Sequence, residues 1–170
     1  SRMQHTESPI SPIAPSAKPA GAWKLEGRAM VSAADKRAVD AALDALKRGG
    51  SAVDAAIAAH AVLGVVEPQS SGLGGGGYMV VYDRKSNSTL VFDGRETAPA
   101  TATADHFTVN GQNLGFGQAI QSGKSVGPPG AVAIYKAAHD KFGKLAWGKD
   151  FEAAIKRADE RLYEAKRQAG

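Results

Sequence analysis

The chain of 170 residues is long enough for one domain with a buried core, and 43% of its residues are hydrophobic while 22% are charged. Its net charge of +4 is modest and its aromatic content is only 6%, so base-stacking surfaces are scarce and no nucleic-acid partner is expected. The absence of cysteine excludes disulfides, thiolate metal sites and a cysteine nucleophile. No stretch approaches the length of a membrane span, so no membrane partner is expected.

The first 26 residues differ in composition from the rest. Prolines recur every three or four residues among Ser and Ala, at Pro9, Pro12, Pro15 and Pro19. This composition favours an extended, solvated chain, so residues 1–26 are predicted to form a flexible Pro-rich segment. No apolar signal-peptide core precedes the prolines, so we expect that any export signal has already been removed.

A first helix is predicted to begin at Ser32, which can cap it, with Asp35 three residues on in the capping-box relation. Two glycines, Gly49 and Gly50, are predicted to end it. Apolar residues recur at helical spacing and predict its buried stripe: Val39, Ala42, Leu43 and Leu46.

A second helix repeats this pattern, with Ser51 as the cap and Asp54 three residues on, and it is predicted to end before Pro68. Its predicted buried stripe comprises Val53, Ala56, Ile57 and Ala61. His60 lies at the edge of this stripe. It has no partner nearby in sequence, which favours a core histidine with one hydrogen bond over a catalytic one.

A Gly-rich turn comes next, with glycines at 72 and 74–77, and leads into a predicted β-hairpin with strands at residues 78–82 and 90–92. A phosphate-binding loop needs a strand before its glycines and a helix after them, and here the order is reversed. The glycines are therefore interpreted as positions where backbone segments pack closely or adopt positive φ. Crowded loops of this kind can also expose N–H groups to an anion.

Helices are predicted again in the last third of the chain. A short one is expected near residues 116–120, and the stiff loop Gly127-Pro128-Pro129-Gly130 is expected to start a longer one. The buried face of the longer helix is predicted at Val132, Tyr135, Ala138 and Phe142. Residues 147–169 are predicted to form the last helix, with an apolar face at Trp147, Phe151, Ala154, Ile155, Ala158, Leu162 and Ala165.

The run VDAAIAAHAVLGVVEPQSSGLGGGGYMVVYD (residues 53–83), followed by FDGRETAPA (residues 92–100), closely resembles the large-subunit half of γ-glutamyltranspeptidases, which are also called glutathione hydrolases. The segments GRAMVSA, SGKSVGPPGAVA and KFGKLAW fit the same family in the same order, and the resemblance covers residues 27–155. Pro128 is a departure, because the family usually has a single proline in this loop.

This resemblance implies an α/β layered fold, part of the αββα sandwich of N-terminal-nucleophile hydrolases, made by a precursor that cuts itself. The family's nucleophile is a threonine in a Thr-Thr-His-type motif that opens the small subunit, and no threonine here has that context. The chain is therefore expected to hold no catalytic residue and to be inactive alone, with the missing small subunit or another copy as its partner. A periplasmic or secreted location is implied by the family only.

Arg95 matches the family residue that holds the α-carboxylate of a γ-glutamyl substrate. A guanidinium suits this role because it grips a planar carboxylate through two parallel charged hydrogen bonds. Judged by spacing alone, Arg95 could instead pair with Asp93 or Glu96 at a surface turn. Asp93 and Glu96 are candidates to orient the arginine or to neutralise it, with no chemical step assigned to them, and no metal ion or organic cofactor is expected.

The C-terminal residues 156–170 depart from the family pattern and are interpreted as an atypical amphipathic helix. Residues 155–167 resemble the terminal helix of diguanylate cyclase (GGDEF) domains, whose signature loop is missing here.

Two functions stay open. The chain is either part of an enzyme that cleaves γ-glutamyl amides such as glutathione, or an inactive truncated relative that acts as an interaction module. Cephalosporin acylases and poly-γ-glutamate depolymerases share the fold, and a pocket arginine alone does not separate them. In either case the hairpin is expected to lack its partner strands and to expose sheet edges and apolar surface.

Overall fold

The computed structural model describes residues 29–169, so the predicted Pro-rich segment 1–26 lies outside the described residues. The helices are α1 (Lys36–Lys47), α2 (Ala52–Val66), α3 (Phe116–Gln121), α4 (Ala131–Phe142) and α5 (Glu152–Ala169). The strands are β1 (Tyr78–Asp83), β2 (Ser88–Asp93), β3 (Thr108–Val109) and β4 (Gln112–Asn113). None of the helices in this part of the chain is long and apolar enough to cross a membrane.

Helix α1 starts at Lys36, and the predicted start at Ser32 is wrong. Asp35 is the cap: its backbone is extended and its carboxylate accepts from the amide of Arg37 at 2.7 Å. The Arg37 guanidinium also binds this carboxylate and is the main cause that lowers the pKa of Asp35 to about 2. The carboxylate remains charged at neutral pH and complements the positive end of the helix dipole, which a serine hydroxyl cannot do.

The buried face of α1 consists of alanines rather than of the predicted larger residues. Its buried residues are Ala38, Ala41, Ala42 and Ala45. Val39, Leu43 and Leu46 are only half-buried, so the prediction is correct for Ala42 and wrong in treating the larger side chains as the centre of the stripe. Small side chains let α1 approach α2 closely, and the left-handed φ of +89° at Gly49 ends the helix as predicted.

Helix α2 is the central element of the described chain. Its predicted capping box is confirmed: the Ser51 amide donates to Asp54 Oδ2 at 2.6 Å, and the Asp54 amide donates to Ser51 Oγ at 3.2 Å. The helix ends before Glu67, as predicted. It is buried on several sides because α1, α4 and α5 all pack against it, and of its predicted stripe only Ala56 is exposed.

Strands β1 and β2 form the predicted antiparallel hairpin, in register from Tyr78 opposite Asp93 to Asp83 opposite Ser88. The tight turn between them is allowed by Asn87, which has a φ of +52°. The inner face packs on α2 and α4 through Met79, Val81, Leu90 and Phe92. The outer face carries Tyr78, Val80 and Tyr82, which are 60–64% exposed, and no third strand pairs with either edge within residues 29–169.

The core has two parts that meet at α2. One is a cluster, mainly of alanines, between α1, α2 and the start of α5. The other lies between α2, the hairpin and α4, and its buried residues are Val53, Ile57, Phe92, Ala131, Ile134, Tyr135 and Ala138. Helices α2 and α4 thus form a layer on one face of the β1–β2 hairpin, and α1 and α5 pack on α2. Strands β3 and β4 pair with each other in a separate two-stranded sheet.

Two predictions about the later helices need correction. Val132 is exposed, because the buried face of α4 is centred on Ile134 and Tyr135. The last helix begins at Glu152 rather than at Trp147, since residues 147–150 form a separate 3-10 turn. Ala154 is its buried residue, whereas Ile155, Ala158 and Ala165 are exposed.

Candidate functional site

Arg95 lies immediately beyond the end of β2, in a loop that the sheet holds in place. The hairpin ladder continues one step past the strands, since Gly94 N donates to Gly77 O at 2.9 Å and Gly77 N donates to Gly94 O at 3.3 Å. The amide of Arg95 donates to Asp93 Oδ1 at 2.9 Å, which turns the chain out of the strand. The backbone of Arg95 is therefore fixed by two neighbouring residues.

Glycines on two segments pack against this loop. A Cβ on Gly76 or Gly130 would overlap the Gly94 carbonyl oxygen, and one on Gly127 would overlap the side chain of Glu96. Gly75 adds a further link, because its carbonyl accepts from the amide of Ala131 at 2.9 Å. The Gly-rich turn and the loop before α4 therefore clamp the residues on both sides of Arg95.

The interpretation of the Gly-rich turn as a close-packing device is correct at Gly76. A Cβ at Gly72, Gly74 or Gly77 would meet nothing within 4 Å, and none of the turn's glycines has a positive φ. The roles of Gly127 and Gly130 in holding Glu96 and Gly94 were not predicted. The only signal for them was the Gly-Pro-Pro-Gly motif, which was interpreted as a stiff connection.

The structure brings Arg95, Asp93 and Glu96 together. Arg95 Nη1 lies 3.5 Å from Glu96 Oε2, which is the ion pair that spacing alone suggested. The pKa of Glu96 is lowered, first by a hydrogen bond from its own amide and further by Arg95 and the Gly76 amide, against the opposing effect of desolvation. The side chain of Arg95 is 57% exposed and that of Glu96 32%, so the guanidinium is accessible to an external carboxylate.

A cleft of about 320 Å³ shares the Gly-rich turn with this loop. Its lining includes Gly76 and Gly77 together with His60, Tyr135 and the first part of β1, but not Arg95. The Tyr135 hydroxyl is hydrogen-bonded to His60 Nδ1, and burial lowers the pKa of His60. His60 thus has the single hydrogen bond predicted for a core histidine.

The residues that could hold a metal ion lie elsewhere. Within residues 29–169 one such group is present, formed by Asp54, His139 and Asp150. It lies where the start of α2 meets the end of α4 and the turn before α5.

Comparison with known proteins identifies the family. A model of the family described as gamma-glutamyltranspeptidase matches residues 38–161, which is most of the chain. The chain belongs to the gamma-glutamyltranspeptidase family. The match extends into α5 and includes its first ten residues.

Named relatives agree with this assignment. The chain is 42% identical over 131 residues to the glutathione hydrolase proenzyme of Bacillus subtilis (strain 168) and 40% identical over 129 residues to that of Escherichia coli (strain K12). In both cases the match covers 76% of this chain but only 22% of the relative. The chain therefore spans about a fifth of the length of these members of the gamma-glutamyltranspeptidase family.

A solved structure supports the fold. The gamma-glutamyltranspeptidase from Pseudomonas nitroreducens complexed with L-DON superimposes with a TM-score of 0.71 at 33% identity, covering 85% of this chain and 44% of that one. The predicted fold class, part of the αββα sandwich of N-terminal-nucleophile hydrolases, is confirmed. The two-stranded sheet with helices on one face is a fragment of that fold.

Proposed function

We propose that this chain is part of a γ-glutamyl transferase/hydrolase that cleaves γ-glutamyl amides such as glutathione, and that its contribution is to bind the substrate α-carboxylate through Arg95. The observation that carries this proposal is the position of Arg95: a clamped backbone at a strand end with an accessible guanidinium. Two parallel charged hydrogen bonds from the guanidinium would fix both the position and the orientation of the carboxylate.

Glu96 gives the arginine its geometry in this proposal. At 3.5 Å it is close enough to restrain the guanidinium without a short hydrogen bond that would occupy it. Asp93 acts one step further back by holding the Arg95 amide. Both are positioning residues, and neither is assigned a chemical step.

The reacting groups would come from another segment. The family's attacking threonine carries its own α-amine as the base, and both belong to the small subunit. We therefore infer that this chain alone does not turn over γ-glutamyl amides and that its partner is that subunit. This proposal includes a periplasmic or secreted location, because enzymes of this family are exported. The resemblance of residues 155–167 to diguanylate cyclases adds no activity.

The second candidate is an inactive relative that serves as an interaction module. The observation in its favour is the exposed outer face of the hairpin, which offers apolar surface whether or not chemistry follows. The two functions differ in what Arg95 does, because only the enzyme needs its guanidinium.

The test is kinetic and uses the chain assembled with a small subunit, with γ-glutamyl-p-nitroanilide as substrate. The change Arg95→Lys keeps the charge but loses the paired hydrogen bonds, and Arg95→Ala loses both. KM is expected to rise roughly 10-fold for the first variant and roughly 100-fold for the second, with kcat changed less, because the lost contact is made in the ground state as well. Arg84→Lys, at the exposed hairpin turn, is the control. The proposal is refuted if the assembled enzyme has the same KM with Arg, Lys or Ala at position 95. If the assembled wild-type protein shows no turnover, the interaction module is supported instead.

A further inference from the structure

Two fully buried carboxylates, Asp54 and Asp150, lie beside His139 at a junction of three elements. His139 Nε2 is 3.5 Å from Asp54 Oδ1 and 3.7 Å from Asp150 Oδ2. The ligand atoms of all three residues lie within 4.8 Å of one another. The Leu145 carbonyl oxygen adds a fourth polar atom, 2.9 Å from the same Nε2.

Several carboxylate oxygens in this cluster have no hydrogen-bond partner. Asp54 Oδ2 accepts from the amides of Ser51 and Lys144, at 2.6 Å and 2.9 Å, but Asp54 Oδ1 has no partner. Neither oxygen of Asp150 has one. Burying a carboxylate without hydrogen bonds, as at Asp150, costs free energy, and the neighbouring carboxylate of Asp54 repels it further. Burial and then Asp54 raise the pKa of Asp150 to about 6, which expresses that cost.

The positive groups around the cluster are already engaged. Arg48 favours the charged form of Asp150, but it pairs with Asp44 at 2.9 Å and Glu152 at 3.5 Å and donates to the Lys149 carbonyl. His139 Nε2 carries at most one hydrogen. That hydrogen is directed at the Leu145 carbonyl at 2.9 Å, so neither carboxylate receives a full hydrogen bond from it.

We propose that Asp54, His139 and Asp150 bind one divalent metal ion of the class that takes mixed imidazole and carboxylate ligands, with Zn²⁺ as its best representative. The ion links the first turn of α2 to the end of α4 and to the turn before α5. Its role is structural, and it is independent of carboxylate binding at Arg95.

The spacing of the ligand atoms fits such an ion. Zinc bonds to nitrogen and to carboxylate oxygen are about 2.1 Å long, so neighbouring ligand atoms in a tetrahedron are about 3.4 Å apart. The separations of 3.5 Å and 3.7 Å between Nε2 and the carboxylate oxygens lie close to this value. The Leu145 carbonyl would supply a fourth oxygen, after Nε2 has lost its hydrogen to make room for the ion.

The surroundings also suit a metal centre. The two amides on Asp54 Oδ2 fix that carboxylate so that Oδ1 is directed into the cluster, as outer hydrogen bonds do for metal ligands. The Trp147 ring packs edge-on against His139, with ring centroids 5.2 Å apart, and Phe151 packs on Trp147. These aromatic rings exclude water from one side.

The test measures metal binding by the 170-residue chain after EDTA treatment, by calorimetric titration and thermal melting at pH 7.5 with Zn²⁺, Mn²⁺, Mg²⁺ and Ca²⁺ in turn. The expected result is one Zn²⁺ per chain with a clear rise in Tm, and at least 10-fold weaker binding of Mg²⁺ and Ca²⁺. Co²⁺ is expected to give the visible absorption of a four-coordinate N/O site. Asp150→Asn is expected to weaken Zn²⁺ binding at least 100-fold, while Asp140→Asn, on the exposed side of α4, leaves it unchanged.

The variants also separate this proposal from a misfolded protein. Asp150→Asn removes a buried charge, so the metal-free variant is expected to melt at or above the temperature of the metal-free wild type. If the Asp150→Asn variant does not fold, the proposal is tested by Zn²⁺ binding to the His139→Gln variant and by the Co²⁺ spectrum of the wild type. The proposal is overturned if none of the four ions raises the wild-type Tm; a protonated Asp150 that donates a hydrogen bond to Asp54 would then explain the cluster. It is also overturned if Zn²⁺ binds the Asp150→Asn variant as tightly as it binds the wild type. Neither result bears on Arg95, so the proposed function is tested separately.

Discussion

Gly130 and Gly94 touch backbone to backbone: the Cα of Gly130 lies against the carbonyl group of Gly94, and a Cβ on Gly130 would overlap that oxygen. In return, a Cβ on Gly94 would lie 2.7 Å from the Gly130 oxygen and 2.6 Å from Ile134 Cγ2. The start of α4 and the residue before Arg95 are thus in direct contact. Gly130 therefore restrains the residue that precedes Arg95.

Gly130→Ala is expected to destabilise the fold by about 1–3 kcal/mol, because overpacking forces the two backbones apart. The φ of −91° at Gly130 suits alanine, so the effect is steric rather than conformational. Denaturant melts measure the loss. The control is Gly74→Ala, where a Cβ meets nothing within 4 Å and a change within about 0.5 kcal/mol is expected. Equal effects of the two substitutions would contradict the proposed clamp.

The caps of α1 and α2 give a second prediction. Ser51→Ala removes the hydroxyl that accepts the Asp54 amide and is expected to cost about 1 kcal/mol in the free energy of unfolding. Ser32→Ala is expected to cost nothing measurable, because Asp35 is the cap of α1. If Ser32→Ala lowers the free energy of unfolding as much as Ser51→Ala does, then Ser32 rather than Asp35 caps α1.

The features that the sequence predicted well are local ones. The capping box at Ser51 and Asp54, the hairpin and its turn, and the end of α2 before Pro68 each depend on residues a few positions apart. Arg95, Asp93 and Glu96 were expected together for the same reason. Local pattern therefore gave this part of the candidate site, and the family resemblance gave its suggested role.

The features that were missed depend on distant contacts. Asp54 and Asp150 are almost a hundred positions apart, so no local pattern in the sequence indicates that their carboxylates lie together. The contact of Gly94 with Gly130 likewise joins two loops that are separate in sequence. The stripe of α1 was misjudged because hydrophobicity favours large side chains, whereas the close approach of two helices favours alanine.

The pair formed by His60 and Tyr135 predicts a pH dependence of stability. Burial lowers the pKa of His60 below its ordinary 6.5, so the folded state prefers the neutral ring and the unfolded chain binds the proton first. The stability that His60 contributes is present above pH 6.5 and is lost as the pH falls from there through the folded-state value. The wild type is thus expected to lose its advantage over His60→Gln between pH 7.5 and 5.5, measured by denaturant melts.

An NMR titration provides the site-specific check. The ring protons of His60 are expected to titrate below pH 6.5, whereas a midpoint above 6.5 would contradict the effect assigned to burial. Tyr135→Phe removes the hydroxyl that His60 Nδ1 contacts and is expected to cost about 1 kcal/mol.

The outer face of the hairpin leads to the last prediction. Tyr78, Val80 and Tyr82 are 60–64% exposed, on a sheet whose edges are unpaired within the described residues. Exposed apolar strands with free edges associate with other chains, so the 170-residue chain is expected to form dimers or larger species as its concentration rises.

Val80→Lys places a charge on this face and is expected to shift the chain toward the monomer in sedimentation velocity. Phe116→Lys, which replaces an 83% exposed side chain on α3, should leave the distribution unchanged. A wild-type chain that stays monomeric at every concentration would show that this face needs no cover, and equal effects of the two lysines would point to net charge rather than to the sheet.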